Sequence, residues 1–60
     1  MEYFVSFNYL SKNGAFLFDN KIIKLVSVSE ESIKNAQKEL ELEFNSRPDR
    51  LKIVFIKAID

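Results

Sequence analysis

Cysteine, histidine and tryptophan are absent from this 60-residue chain, and glycine, proline and methionine occur once each. Each absence removes a class of chemistry. Without Cys or His there is no tetrahedral zinc site, no Ser-His or Cys-His nucleophile and no disulfide framework. A single glycine cannot build a phosphate-cradling Gly-rich loop. The remaining carboxylates are not spaced like a calcium loop, and no pair stands out for acid–base work. The expectation is a non-enzymatic protein with no cofactor and no metal site. A surplus of one charge is missing too, since nine Lys and Arg balance nine Asp and Glu. Neutralising phosphates needs a basic surplus, so nucleic acid is disfavoured as the main partner, although a local basic patch is compatible with the balance. No apolar run approaches the roughly 20 residues that span a bilayer. Met1-Glu2-Tyr3-Phe4 lacks the positive start and long apolar core of a signal peptide. The expected location is cytoplasmic, without membrane association.

What the chain does have is apolar and aromatic: 47% hydrophobic residues, with six Phe and two Tyr. Disordered chains are poor in aromatics, so a folded domain is expected, and residues 1–60 suffice for one. Tyr3, Val5, Phe7 and Tyr9 alternate with Phe4, Ser6, Asn8 and Leu10, the period-2 pattern of a strand. Asn13-Gly14 then reads as a two-residue type I′ hairpin turn, which needs positive φ at both residues. A second strand is expected from Ala15 to about Val26. Asp19-Asn20 interrupts its pattern as either a bulge or a further turn, and one bent strand is the preferred reading. The two-residue loop places Leu10 opposite Leu17, Tyr9 opposite Phe18, Val5 opposite Ile22 and Phe4 opposite Ile23. Tyr3, Val5, Phe7, Tyr9, Phe16, Phe18 and Ile22 then share the core face.

Ser27 with Glu30 fits a capping box, and Ser29 followed by Glu30 and Glu31 fits a simple N-cap. The helix should run from about Glu30 to Phe44, with Ile33, Ala36, Leu40 and Phe44 on one face. Pro48 disfavours helix at Arg47, so the helix ends in the segment Asn45 to Asp49. Leu51 to Ile59 is apolar on both parities, the composition of a strand covered on both faces. The expected fold is α+β, of ββαβ order, with one helix packed on one face of a three-stranded, mainly antiparallel sheet. The simplest strand order is 2-1-3. Parallel pairing of the third strand with the second also satisfies a right-handed crossover.

One helix covers one face of such a sheet. The other face keeps Phe4, Leu10, Leu17 and Ile23, joined by either Ile53 and Phe55 or Val54 and Ile56 from the third strand. An exposed apolar patch of that size marks an interface, and a small core gains from oligomerisation. Phe4, Leu10, Leu17 and Ile23 are therefore the candidate interface, for a homodimer or a partner protein. The alternative is nucleic acid, contacted by the basic loop Arg47, Arg50 and Lys52 with Lys57 nearby. Glu39, Glu41 and Glu43 read as a solvated helix face, and Leu42 as a lone exposed apolar residue.

The opening Met1 to Phe7, the Asn13-Gly14 turn, Ser29-Glu30-Glu31-Ser32-Ile33 and Leu51 to Ile59 together resemble small prophage proteins of low-GC Gram-positive bacteria. The likeness is one of pattern across most of the chain and includes no diagnostic motif. It implies a phage or mobile-element accessory protein that binds a host or phage protein, and it brings no catalytic residues with it.

Overall fold

The computed structural model describes residues 1–59. Its elements are β1 (Glu2–Ser11), β2 (Phe16–Lys24), α1 (Glu30–Glu43) and β3 (Ser46–Ala58). The strands form one antiparallel sheet in the order β2-β1-β3. The ββαβ fold and strand order expected from the sequence are those observed.

The central strand is β1, and its alternation fills the core. Val5 and Phe7 are fully buried, Tyr3 and Tyr9 nearly so, and Leu40 and Leu51 complete the cluster. The helix packs on β3 and presents Ala36 and Leu40 as its buried residues. Phe44, at its C-cap, sets its ring edge-on to Phe7, with centroids 4.9 Å apart, and also leans on Tyr9. Such aromatic pairs add about 0.5–1.5 kcal/mol beyond burial.

Ser29 caps the helix. Its side chain accepts from the Ser32 backbone N–H, and the Ser32 hydroxyl accepts in return from the Ser29 N–H. The capping box is thus Ser29–Ser32, and the box read on Ser27 and Glu30 does not form. The helix stops before Pro48 acts: Asn45 takes a left-handed φ of 57° directly after the C-cap. Asn tolerates that conformation at helix ends, which frees Ser46 to start β3 at once.

The hairpin register differs from the expectation by one residue. Glu2 pairs with Lys24, Phe4 with Ile22, Ser6 with Asn20, Asn8 with Phe18 and Leu10 with Phe16. The loop has three residues, Lys12-Asn13-Gly14, closed by Ser11 N–H to Ala15 O at 2.8 Å and Gly14 N–H to Ser11 O at 2.9 Å. Only Gly14 has positive φ there, at 91°, so the turn is not type I′. A turn followed by a glycine in a left-handed bulge is the usual three-residue solution. Ser11 favours it: its hydroxyl oxygen accepts from the Ala15 N–H at 3.1 Å, and it bonds the Asn13 side chain. Pairing runs unbroken through Asp19-Asn20, which is neither a bulge nor a turn.

A one-residue slip turns every β2 side chain to the other face. Burial opposes it little: α1 meets β2 at the Glu43–Lys21 ion pair and Ile23 packs on the core cluster, but every other β2 residue except Lys21 is exposed. The turn therefore decides the register, with help from the Ser6 hydroxyl, which donates to Asn20 Oδ1 at 2.7 Å.

β3 carries two irregularities. Val5 pairs with Ile56 and Ser6 with Phe55, but Phe7 pairs with Ile53, leaving Val54 as an extra residue. A second shift lies between Tyr9/Leu51 and Ser11/Ser46, where Arg47-Pro48-Asp49-Arg50 bulges out and Asp49 takes a φ of 60°. The bulge at Val54 reverses the facing of the strand's end. Leu51, Ile53 and Ile56 face the helix side, whereas Lys52, Phe55 and Lys57 face away. This corrects both sequence options, which kept strict alternation. It also corrects the expectation of a strand covered on both faces, since Val54 and Phe55 are about half exposed.

Candidate interaction surface

The face of the sheet turned away from α1 has no layer over it. Cross-strand partners share a face, so β1 contributes Phe4, Ser6, Asn8 and Leu10, and β2 contributes Phe16, Phe18, Asn20 and Ile22. β3 adds Lys52, Phe55 and Lys57. The exposures are those of an unpartnered surface: Phe16 82%, Phe18 62%, Ile22 54% and Phe55 51%. Phe4 and Phe55 meet edge-on at 6.4 Å and form one apolar cluster. They line a shallow depression with Lys57, Ala58 and Ile59.

The four residues singled out from the sequence divide between the two faces. Phe4 and Leu10 lie on the open face as expected. Leu17 and Ile23 do not. They sit opposite Tyr9 and Tyr3, on the helix side, and Ile23 packs against the core. The cause is the register slip, which exchanges Leu17 and Ile23 for Phe16, Phe18 and Ile22. Leu10 is on the open face but buried, in a cleft formed with Phe16, Asp49, Arg50 and Lys52. The signal that would have found the exchanged residues was Ser11, whose side chain can hold the wider turn.

The basic residues also separate. The Arg47 guanidinium donates to the Lys12 carbonyl at 3.4 Å, tying β3 to the hairpin loop. Arg50 and Lys52 instead border the Leu10–Phe16 cleft, and Lys57 lies opposite Phe4. The open face therefore combines exposed phenyl rings with the cationic Lys24, Arg50, Lys52 and Lys57, beside the acidic Glu2 and Asp49. The opposite side of the molecule is acidic: α1 carries Glu30, Glu31, Glu39, Glu41 and Glu43 against Lys34 and Lys38. A net charge of zero conceals this division. Three of the helix acids have partners, Glu30 pairing with Lys34 one turn on at 3.7 Å. Glu43 pairs with Lys21, and Glu41 Oε2 accepts from the Asp49 N–H at 3.0 Å. Leu42 is 86% exposed and isolated on the outer face of the helix.

Among the described residues, no cluster of three or more acidic side chains is placed to hold a metal ion. Among the described residues, no helix is long and apolar enough to cross a membrane. Comparison with protein-family models, curated proteins and solved structures finds no match to the chain.

Proposed function

We propose that the chain is a small, non-enzymatic interaction module, cytoplasmic and of the phage-accessory kind, whose working surface is the open sheet face. The observation that supports this is the exposure, on one side of the sheet, of Phe4, Ile22 and Phe55 at one end and of Phe16 and Phe18 at the other, with Ser6, Asn8 and Asn20 between them. Monomeric soluble proteins rarely leave such patches uncovered. Covering it with an apolar surface of a host or phage protein would gain roughly 25 cal/mol per Å² before association costs. The test is affinity capture from host lysate with the wild type, Phe18→Asp, Phe55→Asp and, as a control on the far side, Leu42→Asp. A partner kept by Leu42→Asp and lost by both face variants supports the reading. Retention of every partner by the two face variants overturns it.

A second reading is favoured by one specific observation. Phe16, Phe18 and Phe55 share their face with Arg50, Lys52 and Lys57. Exposed rings beside cations suit single-stranded nucleic acid, where bases stack on aromatics and cations follow the backbone. Arg47 drops out of this set, being held by the hairpin loop. Fluorescence anisotropy with single-stranded DNA and RNA oligonucleotides tests it. Three phosphate contacts predict a slope of log affinity against log salt near roughly −2. No binding at low salt eliminates this reading.

A further inference from the structure

The two edges of the sheet are treated differently. On β3 the outward N–H groups of Asp49 and Ile53 donate to Glu41 Oε2 and Gln37 Oε1, each at 3.0 Å. Pro48 offers no N–H, and both register shifts break the edge. These are the devices by which a sheet edge is closed to another strand. β2 has neither the proline nor the register shifts, and no helix side chain caps its outward N–H groups. It runs nine residues without proline or bulge. Met1 and Leu25, like Ser11 and Ala15, are bonded across the hairpin, so the odd residues of β2 turn their backbone groups to β1. Phe16, Phe18, Asn20, Ile22 and Lys24 turn theirs outward. Of these outward groups only the Asn20 N–H has a partner among the described residues, the Asp19 carboxylate of the same strand at 2.8 Å.

We propose that this edge pairs with a second copy of itself, β2 antiparallel to β2, about a two-fold axis through Asn20. Two three-stranded sheets become one continuous sheet. The residues select the register. With Asn20 opposite the second copy's Asn20, Asp19 faces the second copy's Lys21, and Leu17 faces Ile23. Phe18 faces Ile22, and Phe16 faces Lys24. The central pairs, Asp19 with Lys21, Phe18 with Ile22 and Leu17 with Ile23, are complementary in charge and in apolarity. The hydrogen-bonding parity agrees, because the outward-turned residues Phe16, Phe18, Asn20, Ile22 and Lys24 meet one another. Asp19 and Lys21 then fall at a non-hydrogen-bonded pair, where side chains approach more closely. Shifting by two residues, the nearest register that keeps this parity, sets Asp19 against Asp19 or Lys21 against Lys21. Like charges directly opposite are destabilising. A two-fold interface must be self-complementary, and the centre of this strand is.

In the pair, the Asn20 N–H exchanges the Asp19 carboxylate for a carbonyl of the second copy. Asp19 is released to the second copy's Lys21, which also keeps its own Glu43. Edge pairing leaves the open face uncovered and enlarges it, so it does not depend on what that face binds.

Sedimentation velocity over a wide concentration range, with native mass spectrometry, tests the inference on the full chain. The wild type is expected to be dimeric. Asp19→Lys and Lys21→Asp each place like charges opposite at both symmetry-related pairs, which should weaken self-association roughly tenfold or more. Mixed together in equal amounts the two variants should form a heterodimer, because each introduced charge then faces one of opposite sign. Circular dichroism checks that each variant is folded. Phe18→Pro, which removes an outward N–H that β1 does not use and no side-chain bond to β1, should also yield monomer. A wild type that is monomeric throughout overturns the inference. So does a dimer abolished by Phe55→Asp but indifferent to both charge variants, or a mixture of the two that fails to associate.

Discussion

Ile56→Asp should destabilise this protein far more than Phe55→Asp, although the two residues are neighbours. Val54 is the extra residue of a bulge, and it sets Phe55 opposite Ser6 on the open face and Ile56 opposite Val5 on the core face. Ile56 packs against the buried cluster. Complete burial of an aliphatic side chain of this size contributes about 1.5–3 kcal/mol; Ile56 is partly buried, so it contributes a fraction of that, and an unpaired carboxylate in its place adds a desolvation penalty. A loss of about 2–4 kcal/mol is expected. At roughly 0.05–0.15 kcal/mol per residue, a chain of this length has only about 3–9 kcal/mol in total. Phe55 is half exposed, and its one aromatic partner is Phe4. Replacing it gives up about 0.5–1.5 kcal/mol of pairing together with the burial of its covered half. The new carboxylate remains in water beside Lys57. Urea denaturation followed by circular dichroism reads both variants. A folded Ile56→Asp with an unfolded Phe55→Asp would mean that β3 alternates without a bulge, and the open face would then lose its central ring.

Gly14→Ala should cost about 1–2 kcal/mol, since the nearest atom to the added methyl is 3.8 Å away and the penalty comes from a φ of 91° rather than from crowding; thermal denaturation measures it. Ser29→Ala removes the side chain that accepts from Ser32 and should lower stability by about 1 kcal/mol, with the loss of helical ellipticity concentrated at the first turn. Gln37→Leu frees the Ile53 N–H, so amide exchange at Ile53 should accelerate while Leu40 and Val5 stay protected; stability should fall by about 1 kcal/mol. Unchanged exchange at Ile53 would show that the helix does not guard this edge in solution.

The element order was legible because it rests on local chemistry. The alternation of Tyr3, Val5, Phe7 and Tyr9 makes a strand wherever one face is buried. The spacing of Ile33, Ala36, Leu40 and Phe44 makes a helix whose apolar side needs a sheet. The serines before Glu30 mark where that helix starts. With short connections, a helix on one face and a third apolar run, 2-1-3 is the simplest order, but the sequence leaves parallel pairing of the third strand with the second open, and the structure decides for the first. The open face followed as well, since one helix covers only one side of a sheet.

Which residues occupy that face was decided by tertiary structure. Asn13-Gly14 suits both a two-residue and a three-residue loop, and the choice between them inverts all of β2. Burial would have resolved it on a covered strand, but α1 lies over β3, and most of β2 is exposed and held by the hydrogen bonds of Ser11, Ser6 and Asn20. The bulge at Val54 is likewise invisible in a run of apolar residues, where either parity looks fit for the core. Strand identity is a property of neighbouring residues. Facing depends on single-residue offsets, and those are set by contacts between residues far apart in the chain.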